Sequence, residues 1–395
     1  MTPPPLLLTA HSAAALLLLL GPGPDAARAS RKRRRRGEVD LDPDAEASDP
    51  APQQAAPPVP REEEGPPPPP APEPLALPLP PTSPDHYPLA FRVSAPTFNF
   101  LSGLLDPLLS HPSLPPPPVL LALALARLAS GLPYPALAAR FGVPPSAPRA
   151  ASRRLRRVLL ANFRFWLAFP PSDPTSAYSA PLPSCRGALC CARFAGPGGP
   201  LAAQLVAGAS SRVLSLAAGF RGDRTDLEVL RLSSLYQEVE QGRLLEPPQY
   251  LVGDGGRYPL LPWLMVPFPG PVVPGSQEAA FNAAHRAMCR PVRRAVRSLM
   301  GWGAIARLHE EESARAAVAC IGTCAMLHNL LLTREDYSAL APDDAEMQSD
   351  LRGVLNQGDE AAAAAGSEEG FEVDGRALML RSALATTMRD LRAPD

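Results

Sequence analysis

Lysine is nearly absent: Lys32 stands alone, and every other basic residue among the 38 is arginine. Isoleucine is almost as scarce. Ala, Pro, Gly and Arg, which have GC-rich codons, fill the space, so motifs that contain Tyr, Trp, Phe or Met carry more weight here. Net charge is lacking too. The 38 Lys+Arg stand against 39 Asp+Glu, a formal charge of −1, which excludes a uniformly basic nucleic-acid binder but leaves segregated charge open. Cysteine is sparse: Cys185, Cys190, Cys191, Cys289, Cys320 and Cys324 make no disulfide framework and no pair of CxxC motifs, so a reduced intracellular compartment is expected. The apolar run Leu6 to Leu20 contains Thr9, His11 and Ser12. It falls short of the roughly 20 residues that span a bilayer. Ala27-Arg28-Ala29 imitates a signal-peptidase site, yet no basic residue precedes the run, so neither secretion nor a membrane partner is expected.

Proline, in contrast, is abundant, at 53 of 395 residues. It is dense in residues 1–87, beside the acidic stretch Glu38 to Glu46 and the run Pro66 to Pro70. Such a segment buries too little apolar area to offset its ordering entropy, which predicts a disordered, Pro/Ala-rich arm. Within it, Arg31, Lys32, Arg33, Arg34, Arg35 and Arg36 are six consecutive cations. They read as a nuclear-import element that an import receptor could reach, with a solvated charge run as the bland alternative.

Residues 88–169 read as helical. Val119 to Ser130 is an apolar helix stopped by Gly131, and Tyr134 to Arg140 is a second one ended by Gly142. A third, Arg149 to Phe163, follows a candidate cap at Ser146 and carries Arg149, Arg153, Arg154, Arg156 and Arg157 with no acid among them. A helix-turn-helix would set this helix in a DNA groove, whereas a basic surface helix would pack through Leu155, Val158 and Leu159. A Pro/Ser-rich linker occupies 170–184.

From 185 to 335 the period changes. Gly187 to Phe194, Ala202 to Ala209 and Val213 to Phe220 are short apolar runs between Gly/Ser turns, the pattern of buried strands. Thr225 caps a helix expected to run to about Gln241, and a fourth strand spans Gln249 to Val252. Two helices follow, one ending near Leu308 and one over Glu310 to Leu332. Strands, helix, strand and helices together predict an α/β layer with active groups at strand ends. Residues 336–375 form an acidic tail predicted to be disordered, with ten acids against Arg352 between 343 and 374. The segment 376–395 predicts an amphipathic helix that packs back on the body through Leu380, Leu384, Met388 and Leu391.

The segment Val252-Gly253-Asp254-Gly255-Gly256-Arg257-Tyr258-Pro259-Leu260-Leu261-Pro262-Trp263-Leu264-Met265-Val266-Pro267-Phe268 resembles the GD-x-GYPL-x-PWL-x-x-PF signature of PIF/Harbinger transposases and of the nucleases domesticated from them. Supporting segments run in the family's order. They are Phe91-Arg92-Val93-Ser94 with Phe98, then Leu128 to Tyr134 with Arg140 to Val143, then Gly187-Ala188-Leu189. Gly222, Asp226 and Val229 to Ser233 come next, followed by Phe281-Asn282-Ala283-Ala284-His285 and Leu327-His328-Asn329. The resemblance covers about Phe91 to Leu332. It implies an RNase H-like mixed sheet with flanking helices, preceded by a helix-turn-helix, and a DDE triad that holds two divalent ions for phosphoryl displacement.

Position by position, the implied triad is degenerate. The retained Asp is Asp254, but Cys190 stands where the first Asp is expected and Arg293 where the Glu is expected. A thiol is a poor magnesium ligand and an arginine repels the ion, so no cofactor is expected and the fold reads as a dead nuclease. An active metal-dependent nuclease would need magnesium on a nonstandard set of Asp254, Asp226 and Asp223. A scaffold that binds no DNA is the third class. Without a metal, Arg293 is expected to pair with Asp254, or else to point to solvent.

Arg286, Arg290, Arg293, Arg294 and Arg297 would line one helix face if Pro291 does not interrupt it. From Phe281 to His309 there are six arginines and no acids, which suits phosphate contact and makes DNA a candidate partner. Cys320, Cys324 and His328, four apart on one helix face, read as core rather than as a metal cluster. The reading that results is a transposase derivative in the nucleus, without nuclease chemistry, that binds DNA or unidentified proteins.

Overall fold

The computed structural model describes residues 81, 83–112, 114–170, 181–254, 256–342 and 374–391. The arm with its six cations and most of the acidic tail lie outside the described residues.

The first strands form where small and branched apolar residues alternate their faces. β1 (Cys185–Gly196), β2 (Gly199–Ala207) and β3 (Val213–Arg221) make an antiparallel meander. Two short helices then cross over, α6 (Asp226–Leu232) and α7 (Ser234–Glu240), before β4 (Tyr250–Val252) pairs parallel to β1 and β5 (Leu264–Met265) pairs parallel to β4. The sheet order is β3-β2-β1-β4-β5, which is the mixed α/β layer expected. On β1, Ala188, Ala192 and Phe194 face the main core, while Leu189 and Cys191 face the side covered by α6 and α7.

Before the sheet come α1 (His86–Phe91), α2 (Ala95–Leu109), α3 (Pro117–Ser130), α4 (Tyr134–Phe141) and α5 (Ser146–Asn162). After it come α8 (Gln277–Met300), α9 (Gly303–Ala306), α10 (Ala314–Thr333) and α11 (Gly375–Asp390). α3 ends at Gly131, which adopts φ +66 and lies so close to Gly303 that a Cβ would sit 2.3 Å from the Gly303 carbonyl oxygen. This backbone contact docks the early helices on the body, and their side chains share one core with α8, α10 and a sheet face.

Several boundaries differ from the sequence expectations. Ser146 is not a cap but the first helical residue, with Pro145 at the cap position. The expected helix from Thr225 to Gln241 breaks at Ser233, whose extended backbone and hydroxyl, accepting from the Tyr236 amide at 3.3 Å, start a new helix. α8 stops at Met300, and α10 starts at Ala314 rather than Glu310 because Ser313 caps it. β5 has only two residues and was not anticipated. Pro291 sits inside α8 without interrupting it.

α10 is apolar enough by length and composition to cross a membrane, yet 78% of its most apolar stretch is buried inside the fold. Cys320, Cys324 and His328 lie in that core, and His328 Nε2 bonds the Ser211 carbonyl at 2.8 Å. Next to it, the Asn329 amide accepts from Val213 N at 2.8 Å and donates to Val213 O at 2.7 Å, closing the edge of β3 like an added strand residue. α11 packs on α8 through Ala377, Leu384, Ala385 and Met388, and the Arg381 guanidinium stacks on Phe268 at 4.3 Å. Leu391, expected in that seam, is exposed.

Candidate functional site

β1 and β4 are parallel neighbours with Ala188 opposite Val252, so each strand delivers its next residues to one edge. Two positions further on stand Cys190 and Asp254. The turn after β4 is tight because Gly253 has no Cβ. One built there would meet the Tyr258 ring at 2.9 Å. His285 on α8 fixes this turn, its Nε2 lying 2.9 Å from the Gly253 carbonyl, with the Cys289 sulfur 3.8 Å from its Nδ1. Burial lowers the His285 imidazole and pushes the Cys289 thiol up to about 12, so Nε2–H donates to the carbonyl and the thiol donates to Nδ1. Asn282, one turn earlier, accepts from Phe268 N at 2.8 Å and donates to Phe268 O at 3.1 Å. Asn282 and His285 of the Phe281-to-His285 segment therefore hold the two ends of the Gly253-to-Phe268 segment.

The charges at this edge are distributed unexpectedly. Asp226, the first residue of α6, is buried and caught between two guanidiniums. Arg193 of β1 bonds its Oδ1 and Arg257 donates to its Oδ2 at 3.1 Å. Arg193 also donates to the Arg224 carbonyl at 2.8 Å. Burial pushes the Asp226 carboxyl upward, and both arginines pull against that. Arg257 reaches the retained Asp254 as well, Nε to Oδ2 at 3.8 Å, although the Asp254 side chain is 58% exposed. Cys190 is held as a neutral thiol, raised by burial first and then by Asp226, while Arg293 and Arg257 oppose the shift. Arg293 likewise opposes the rise of the Cys289 thiol and adds to the lowering of His285, so its charge belongs to the same edge.

This donor set does not suit magnesium, which requires several free oxygens in near-octahedral array. Both Asp226 oxygens are occupied by arginines. Asp223, the other acid of the nonstandard set, is exposed and paired with Arg221. Among the described residues, no group of three or more His, Cys, Asp or Glu has an ion-holding arrangement.

The candidate phosphate-binding arginines sort into distinct classes. Arg156 is buried and grips both oxygens of Glu311 at 2.8 Å, which withdraws it from any nucleic-acid surface. Arg127 of α3 joins the same carboxylate at 3.3 Å. Arg154 donates to the Leu108 carbonyl at 2.6 Å. Arg149 and Arg153 bind the two oxygens of Glu312. Arg157 is exposed. On α8, Arg286 and Arg290 are exposed, Arg293 and Arg297 are half-buried, and Arg294 donates to the Ala341 carbonyl at 2.9 Å.

Arg193, Arg257, Glu311 and Glu312 were not anticipated. Arg257 had a sequence signal: the family signature spaces Asp and Tyr by three positions, whereas Asp254 and Tyr258 are four apart, with Arg257 in the longer turn. The run Glu310-Glu311-Glu312, directly after an acid-free stretch, signalled the other two.

A five-stranded mixed sheet in which the short β4 runs parallel to the first half of β1, with the long helix α8 packed on it, is an RNase H-like layer. Residues 200–329 match the family described as DDE superfamily endonuclease. An Arabidopsis thaliana protein, Antagonist of like heterochromatin protein 1, is 26% identical over 294 residues, covering 62% of this chain and 73% of that protein. A second Arabidopsis thaliana protein, ALP1-like, is 30% identical over 147 residues, covering 34% of this chain and 36% of that protein. No solved structure matches. Over residues 200–329 the chain is thus similar to DDE superfamily endonucleases, and over a longer stretch to the first of these Arabidopsis proteins.

Proposed function

We propose that this chain is a nuclear, transposase-derived protein that has given up DNA cleavage and acts as a binding module for DNA or for chromatin proteins. One observation carries the reading: both oxygens of Asp226 are taken by Arg193 and Arg257. Cys190 and Arg293, at two of the three ligand positions implied by the resemblance, with Asp254 the third, reinforce it. Internal cations stand where the fold would otherwise gather ions, and losing metal assistance in phosphodiester cleavage forfeits many orders of magnitude in rate. In this reading Arg293 also shares the Asp254 carboxylate, adding a further positive charge beside Arg257.

The name of the Arabidopsis relative, an antagonist of a heterochromatin protein, supports a chromatin setting, as does the run Arg31 to Arg36. DNA contact rests on Arg149, Arg153 and Arg157 of α5 and on Arg286 and Arg290 of α8, side chains that grip phosphates rather than read bases. The rival of an active nuclease requires Asp226 and Asp223 to shed their arginines. The scaffold reading gains weight from the intramolecular duties of Arg149, Arg153, Arg154 and Arg156.

Incubation of the full chain with supercoiled plasmid in magnesium or manganese tests the chemistry. No nicking above an Asp254→Ala control is expected, and nicking that this substitution abolishes would overturn the proposal. Duplex binding that weakens steeply with salt favours the DNA reading over a scaffold.

A further inference from the structure

Glu311 and Glu312 are sequence neighbours with different surroundings. The Glu311 side chain is 1% exposed, enclosed by Arg127 and Arg156, and ties α3 and α5 to the chain leading into α10. Glu312 lies on the surface at 31%, with Arg149 on its Oε1 and Arg153 on its Oε2, and those side chains are 51% and 56% exposed. Exposed pairs of this kind contribute little to stability. Two guanidiniums bracketing one oxyanion is also the way arginines hold a phosphodiester.

Arg149 and Arg153 continue to Arg157, each four residues further along α5, so the three cations form a row about 6 Å apart along the helix axis. Arg157 is exposed, and no partner for it is found among the described residues. Arg156, one residue earlier, points inward to Glu311, so the row is confined to the outer face. A row suits successive phosphates of a strand, whereas a lone phosphate on a peptide would fill only the fork at Arg149 and Arg153.

We propose that Glu312 is a built-in phosphate surrogate: it occupies the Arg149–Arg153 fork of a three-arginine row made for a nucleic-acid backbone and so limits how tightly that backbone binds. The proposal rests on the DNA-binding reading above and adds its regulation. A phosphate that enters the fork must displace the carboxylate, so the intact chain binds below the capacity of its arginines. Neutralising Glu312 frees both guanidiniums without disturbing Glu311.

The test measures duplex DNA binding by the full-length protein between 50 and 200 mM salt, using the wild type, Glu312→Gln, Glu312→Ala and Arg157→Ala. Both Glu312 variants should bind several-fold more tightly, with a log–log salt slope steeper by about 1, and Arg157→Ala should weaken binding and flatten the slope by about 1. If Arg157→Ala weakens binding while neither Glu312 variant changes it, the DNA reading stands and the surrogate is refuted. If no protein shows salt-sensitive binding, the DNA reading falls and the surrogate with it. Tighter binding of the Glu312 variants to a phosphopeptide but not to duplex would overturn the choice of ligand.

Discussion

Two buried carboxylates among the described residues sit between pairs of arginines, and they do different work. Glu311 is sealed between Arg127 and Arg156, joining helices that precede the sheet to a loop that follows it. Asp226 lies between Arg193 of β1 and Arg257, which follows β4, and Arg257 continues outward to an exposed Asp254. The same chemistry fastens tertiary structure in one place and, in the function proposed above, fills a former ion site in the other. What separates them is the way out: among the described residues Glu311's arginines pair with no second acid, whereas Arg257 has Asp254.

That difference predicts unequal costs. Glu311→Ala leaves two buried guanidiniums unpaired and should destabilise the protein by about 3–5 kcal/mol in urea unfolding. Asp226→Asn strands chiefly Arg193, since Arg257 retains Asp254, and its loss should be about half as large. Equal losses would mean that Asp254 does not compensate Arg257.

A control lies in the shared core, at a group belonging to neither cluster. Burial lowers the His328 imidazole to about 4 from an ordinary 6.5. Its folded value is depressed, so the neutral ring's contribution is complete above pH 6.5 and is lost as pH falls toward 4. About 3 kcal/mol should disappear over that window, and His328→Asn should flatten the pH profile there. A profile unchanged by this substitution would place the acid sensitivity elsewhere, with the two clusters as the next suspects. Smallest of all, Glu312→Gln should shift stability by less than about 1 kcal/mol, because its ion pairs are exposed. A loss as large as that of Glu311→Ala would erase the distinction between the structural acid and the surface one.

These clusters also mark how far the sequence could be read. The meander β1 to β3, the cap at Thr225, the stops at Gly131 and Gly142, and the Gly253-to-Phe268 segment were legible because each is set by neighbours a few residues away. The two-residue β5 was not, since its pairing with β4 is decided by the fold of the turn between them. The α5 arginines looked uncommitted because their helix holds no acid, yet Glu311 is 155 positions from Arg156. Arg257, 3.8 Å from Asp254, was missed because it reaches Asp226 and Asp254 together only once the turn after β4 is folded.

The most direct test of the central claim is a calorimetric titration of the full-length protein with manganese, which occupies the same oxygen sites as magnesium. The account predicts no saturable heat, and predicts that Cys190→Asp combined with Arg293→Glu and Arg257→Ala is needed before binding appears. Stoichiometric manganese binding by the unaltered protein, abolished by Asp254→Ala, would contradict it.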